Sequence, residues 1–116
     1  MEIKVGEYIR TKDGVIAKVT YVDIMMVDCD RDVFDLNNLA MMEIPTEYIE
    51  EYIVKHSSNI IDLIEEGDYV NGLRIADNVD GVLFLSKVNN QILNEPIQNI
   101  VTKEQFNQME YIVGGE

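Results

Sequence analysis

This sequence is short of the residues that most chemistry needs. It has one cysteine, one histidine and nine Lys and Arg residues against 22 Asp and Glu. A lone cysteine, Cys29, cannot close an internal disulfide, which fits a reducing compartment. A lone histidine, His56, lacks the carboxylate, imidazole or thiolate neighbours that a general base or a metal site calls for, since Lys55 and Ser57 flank it. There is no run of about 18 apolar residues, so no transmembrane helix is expected. The N-terminus has no basic region followed by an apolar stretch, so a cytoplasmic location is expected. No Gly-rich phosphate loop, zinc-ligand spacing or Gly-x-Ser-x-Gly elbow is found.

What is present is acid. The net charge is −13 over 116 residues. Affinity for nucleic acid comes from Lys and Arg neutralising phosphates, so this balance argues against direct binding to DNA, RNA or an anionic membrane. It suits solubility, and it suits a partner with a basic surface. Hydrophobic residues make up 47% and charged residues 27%, which is globular composition. The length is that of one domain with its own core.

Turn chemistry organises the chain. Asp13-Gly14, Asn71-Gly72 and Asp80-Gly81 are of the type that type I′ hairpins require. Strand, turn and strand are predicted over residues 4–23, with Val15, Ala17, Val19 and Tyr21 on one face. Ile24 to Val27 reads as a third short strand before an acidic turn. Residues 28–38 read as a polar loop holding a short strand near Val33–Leu36. Leu39 to Ile44 fits a strand or a buried turn, and Pro45-Thr46 ends it. The spacing of Tyr48, Ile49, Tyr52 and Ile53 favours a helical turn or two capped by Thr46, with a strand as the alternative. Residues 59–64 read as a short helical connector capped by Ser57 or Ser58. A meander of three short strands follows through Ser86. Ile97–Val101 reads as a strand, Thr102 and Gln105 as a capping box for a turn over Lys103–Met109, and Tyr111–Val113 as a closing strand.

The expected fold is therefore mainly β, with α+β as the alternative: a small antiparallel barrel or sheet of hairpins with one or two short helices. Val5-Gly6-Glu7-Tyr8-Ile9 and Glu66-Gly67-Asp68-Tyr69-Val70 share one order of residue types. That similarity has two readings. Residues 1–116 form a single domain whose strands leave turns in a common way, or two lobes, about 1–44 and 53–116, repeat one small unit.

Candidate chemistry fails residue by residue. Asp28 and Asp30 flank Cys29, and carboxylates suppress a thiolate. Asp28 to Asp35 begins like a calcium loop, but Val33 stands where the turn glycine belongs and Leu39 where the bidentate Glu belongs. No catalytic residue, metal or cofactor is expected. Met25, Met26, Met41 and Met42 read more readily as core filler than as contact surface.

Three strings point to a family. Lys4-Val-Gly-Glu-Tyr-Ile-Arg-Thr-Lys-Asp-Gly14, the stretch from Ile53-Val-Lys-His-Ser-Ser-Asn to Asp68-Tyr-Val-Asn-Gly72, and Ile97-Gln-Asn-Ile-Val-Thr-Lys-Glu-Gln-Phe106 with Tyr111-Ile-Val113 resemble a group of small proteins from phages and mobile elements of Firmicutes. The resemblance covers less than half of the chain and leaves Ile24 to Tyr52 unmatched. It implies a genetic context and carries no catalytic residues. A shared framework with a variable middle implies that the middle adapts to a partner. Small acidic phage proteins include inhibitors of host defence, anti-CRISPR proteins and DNA mimics among them. The resemblance thus implies a non-enzymatic protein of the host cytoplasm that inhibits a defence protein with a basic surface, a CRISPR-Cas nuclease above all. The acidic surface expected to do so comprises Asp28, Asp30, Asp32, Asp35, Glu50, Glu51, Asp62, Glu65, Glu66 and Asp68. The alternative is a small β-barrel binding or self-assembly module that recognises a peptide or small ligand, or pairs with its own copy.

Overall fold

A computed structural model describes residues 1–109; the expected strand at Tyr111–Val113 lies outside them. The chain divides into two compact units, Met1–Leu63 and Ile64–Glu116. It is mostly β, and every strand pairing among the described residues is antiparallel.

In the first unit, β1 (Tyr8–Thr11), β2 (Ile16–Val22), β3 (Met26–Cys29), β6 (Glu43–Pro45) and β7 (Ile53–Ser57) form one sheet in the order β6-β3-β2-β1-β7, and β4 (Phe34–Leu36) pairs with β5 (Leu39–Met41). β6 and β7 are edges, so this sheet is open and no closed barrel forms. β7 pairs with β1, which places residues 53–63 in the first unit and not with the chain that follows. The helical expectation for residues 47–54 holds as far as Tyr52, through a 3₁₀ turn, Thr46–Tyr48, and a single turn α1, Ile49–Tyr52; Ile53 and Val54 belong instead to β7. Thr46 does not cap this segment. Its hydroxyl donates instead to the Ile24 carbonyl, 2.8 Å away.

The turn residues behave individually. Asn71 and Gly72 both have positive φ (53° and 80°), as do Asp80 and Gly81 (50° and 86°), which is type I′ geometry. Asp13 does not. Gly14 alone is left-handed at φ 85°, with bonds Gly14 N to Thr11 O at 3.0 Å and Thr11 N to Val15 O at 2.9 Å. The first hairpin therefore has the longer three-residue loop that ends on a left-handed glycine. Asn37 and Asn38, at φ 54° and 66°, make the turn between β4, the short strand expected near Val33–Leu36, and β5.

The apolar cluster of the first unit is built from Ile3, Ile9, Ala17, Val19, Val27, Cys29, Val33, Phe34, Ile44 and Ile53, with Tyr48 and Tyr52 packed against it. Ala17 and Val19 face it as alternation requires. Tyr21 does not, because the β2–β3 register shifts between Val19 and Tyr21; the bulge turns Tyr21 out to solvent. Arg10 is buried in β1, where Nη1 donates to the Leu63 carbonyl at 2.9 Å.

The second unit has β8 (Tyr69–Val70), β9 (Leu73–Arg74) and β13 (Ile100–Val101) in the order β13-β8-β9, and a separate sheet of β10 (Asp77–Val79), β11 (Val82–Ser86) and β12 (Gln91–Ile92). Helix α2 (Lys103–Met109) opens on the expected capping box: Gln105 N donates to Thr102 Oγ1 at 3.4 Å, and Thr102 N to Gln105 Oε1 at 3.3 Å. Among the described residues no helix is long and apolar enough to cross a membrane.

Candidate functional site

The candidate site is the ribbon of β3 and β6 at the edge of the first sheet. Register pairs Met26 with Pro45, Val27 with Ile44 and Asp28 with Glu43. Val27 and Ile44 are buried in the cluster, which fixes the ribbon to the core. Asp28 and Cys29 therefore lie in a strand, whereas the sequence reading had put them in a loop.

At one end of the ribbon, the turn between β2 and β3 is held by a carboxylate. Asp23 Oδ1 accepts N–H bonds from Met25 (2.7 Å) and Met26 (3.0 Å), while Oδ2 accepts the Tyr21 hydroxyl at 3.0 Å. Asp23 N donates to Met26 O at 3.0 Å, and Thr46 N to Met25 O at 2.9 Å. The Met25 N–H, then the Tyr21 hydroxyl, hold the Asp23 carboxyl below its ordinary range, and the same contact raises the Tyr21 phenol. This scaffold presents two large apolar side chains to water: Ile24 is 88% exposed and Met25 67%. A tip fixed by so many bonds is pre-organised and has little conformational entropy left to lose.

Further along the ribbon lies a groove of about 470 Å³ lined by Thr20, Asp28, Asp32, Met41, Met42 and Glu43 among others. Three acidic residues are among those that line it. Asp28 Oδ1 is buried and has no hydrogen-bond partner among the described residues. A buried acceptor left unsatisfied costs about 1–3 kcal/mol, and Asp28 also faces Glu43 directly across the strands, a destabilising pairing of like charges. Both costs fall when a cationic donor from outside enters the groove. Between Thr20 and Glu50 the one basic residue is Arg31, whose Nε is turned to Asp30 at 3.3 Å. Among the described residues, no three His, Cys, Asp or Glu side chains are placed to hold a metal ion.

The remaining acids divide by whether they are already engaged. Asp30 accepts the Lys18 N–H at 3.0 Å as well as Arg31. Burial pushes its carboxyl up, but these bonds outweigh that and leave it lowered. Glu50 takes the N-terminal ammonium at 3.1 Å, Glu51 takes Lys12 Nζ at 3.2 Å, and Asp62 accepts the Ser57 hydroxyl at 2.7 Å. Asp35 is exposed on β4 and has no ion pair among the described residues. In the second unit, Glu65 pairs with Lys103 at 2.9 Å and Glu66 lies 3.8 Å from Lys87. Asp68 is fully buried and works inside the fold, so it cannot serve as an exposed contact. Of the ten expected acids, the structure brings Asp28 and Asp32 together and adds Glu43, which sequence reasoning missed.

Ile24 was also missed, since an apolar run reads as strand interior, and Met25 reads more readily as core filler than as contact surface. The signal was Asp23, an Asx-turn former standing directly before that run. Of the four methionines, Met25 and Met42 are exposed and Met26 and Met41 half-buried; Met41 packs against the core cluster as expected of core filler.

Two potential reactive groups are accounted for. The Cys29 thiol is pushed up to about 12, by burial first and then by Asp30 and Asp28, so it stays protonated and un-nucleophilic. His56 Nδ1 lies 3.2 Å from Glu7 Oε1, a link between β7 and the residue that leads into β1. No family model, curated protein or solved structure matches this chain, so the reading of the site rests on its own residues.

Proposed function

We propose that this chain is a non-enzymatic binding protein that docks a basic protein surface onto the β3–β6 ribbon of its first unit. The observation that carries the proposal is the groove in which the buried, unpartnered Asp28 oxygen sits with Asp32 and Glu43. An Arg or Lys side chain of the partner enters there, while Ile24 and Met25 fill an apolar pocket beside it. Acid contacts of this kind steer encounter and set specificity, and the apolar tip supplies desolvation energy.

The resemblance to phage and mobile-element proteins gives that partner a class: a host defence protein whose basic channel normally holds nucleic acid, a CRISPR-Cas nuclease foremost, met in the host cytoplasm. Carboxylates seated among its Lys and Arg residues would block the channel. A self-assembling module is the weaker reading, because two copies at −13 each repel one another.

The test is affinity capture from a Firmicute lysate with a salt titration, run in parallel for the wild type and for the triple variant Asp28→Asn, Asp32→Asn, Glu43→Gln. A basic protein released by salt and lost with the variant is the expected result. A partner held equally by both proteins would overturn the assignment of the groove.

A further inference from the structure

The second unit carries a different pocket with the opposite local chemistry. About 420 Å³ in volume, it is lined by Glu66, Gly67, Tyr69, Arg74, Lys103, Phe106 and Asn107, within the ordinary size range for small-ligand sites. Its aromatic wall is a stacked pair: the Tyr69 and Phe106 rings lie 4.6 Å apart, centroid to centroid, at 28°. Phe106 is nevertheless 40% exposed, so the stack keeps open aromatic surface. Tyr69 and Arg74 face each other directly across β8 and β9, which puts ring and guanidinium on one side of the sheet.

The charges here are not equivalent. The Lys103 ammonium is engaged by Glu65 at 2.9 Å. Its stem crosses Gly67 so closely that a Cβ there would lie 3.4 Å from Cδ. Arg74 is exposed and has no ion pair among the described residues. A guanidinium with no carboxylate partner among the described residues is unexpected in so acidic a chain. It is the natural bidentate receptor for a phosphate or carboxylate. Glu66 and Asn107 stand on the same walls as groups able to accept from, and donate to, the edge of a heterocycle.

We infer that this pocket binds a small planar heterocycle carrying one anionic group, a purine nucleoside monophosphate being the simplest member of the class. The base lies against Phe106 and Tyr69, where stacking is tolerant of base identity. The phosphate meets Arg74, and Glu66 accepts from the amino edge of the base. The inference is independent of the acidic groove, which lies in the other unit and has no aromatic wall. It also gives the chain a means of taking up a nucleotide although its overall charge forbids binding nucleic acid at large.

The test titrates the full chain, ¹⁵N-labelled, with AMP, GMP, adenosine and inorganic phosphate. Saturable shifts confined to residues 66–74 and 103–107 are expected with AMP or GMP, and weaker shifts with adenosine or phosphate alone. Arg74→Gln, at an exposed position, should weaken AMP and GMP at least about tenfold, to near the adenosine level. Phe106→Leu should weaken adenosine and nucleotide alike and leave phosphate unchanged. Inorganic phosphate binding as tightly as AMP would overturn the inference, and so would undiminished binding by Arg74→Gln. So would no saturable shifts with any of the four probes.

Discussion

The two units contain the same turn twice, and the copies differ in what holds them. In each, the glycine has φ near 90° (92° at Gly6, 94° at Gly67). In each, the acid's N–H donates to the carbonyl three residues back, Glu7 to Lys4 and Asp68 to Glu65, at 3.1 Å in both. In each, the acid's carboxylate accepts the N–H of that same residue, at 2.8 Å from Lys4 and 2.7 Å from Glu65. The glycine N–H bonds Val19 O in the first and Ile75 O in the second, and the return bonds run from Val19 N to Glu7 O and from Ile75 N to Asp68 O. The strands that follow, β1 and β8, each sit between two antiparallel neighbours. The two turns therefore share both backbone geometry and hydrogen bonding.

The difference lies around the shared turn. The first copy rests on a large apolar cluster, and its acid, Glu7, is partly exposed and reaches the His56 side chain. In the second copy Asp68 is fully buried, and its other oxygen accepts Lys103 N at 2.9 Å, tying β8 to the start of α2. In the second unit this buried carboxylate thus adds to the apolar packing of Ile64, Val70, Ile75 and Leu83. Between β2 and β7 the first unit also carries the ribbon with the tip and the groove. The candidate site lies in that ribbon, outside the shared turn.

The sharpest way to break this comparison is to remove both acids in turn. Asp68→Ala should cost the second unit about 3 kcal/mol, because two backbone donors lose a charged acceptor in a dry environment. Glu7→Ala should cost the first unit about 1 kcal/mol. Amide hydrogen exchange at Val70 and at Ile9 reads each unit separately, and equal losses would show that the copies are held alike.

The glycines should differ less. Alanine at either position meets an unfavourable positive φ, at about 1 kcal/mol. At Gly67 the new methyl also contacts Lys103 Cδ, whereas at Gly6 nothing lies within 4 Å. A 3.4 Å contact with a flexible side chain is an ordinary one, so the two substitutions should cost the same to within a few tenths of a kcal/mol, measured by urea titration of the same two amides.

Acid should act on the added ribbon last. Asp23 is held below its ordinary value in the fold, so its contribution is complete above the unfolded value of about 4 and is lost as pH falls through the lower folded one. The Met25 and Met26 amide signals should stay fixed down to about pH 4 and move only below it. Movement nearer neutrality would mean that the tip is held by something other than Asp23. At the smallest end, Met25→Ser should change stability by no more than about 0.5 kcal/mol, as an exposed residue does, while still abolishing partner capture.

Much of the fold was legible. The capping box at Thr102, the turns at Asn71 and Asp80 and the β character of the chain follow from local rules that tertiary packing left undisturbed. The rest depended on pairings distant in sequence. Residues 53–57 became a strand because β1 had a free edge to receive them, a fact no eight-residue periodicity contains. Arg10 and Asp68 look like surface residues by type and are buried because backbone groups elsewhere in the chain engage them. The acids were legible as a set but not as a site: most are consumed by partners such as Lys18, Lys12 and Ser57, and only folding shows that Asp28, Asp32 and Glu43 remain to share one groove.

The most direct test of the ribbon as a partner surface is target-DNA cleavage by purified CRISPR-Cas nucleases in the presence of the wild-type chain and of the triple variant Asp28→Asn, Asp32→Asn, Glu43→Gln. The account predicts dose-dependent inhibition of a susceptible nuclease by the wild type, weakened by added salt and lost in the folded variant. Inhibition that survives intact in the variant, or wild-type protein that leaves every nuclease type uninhibited, would contradict it.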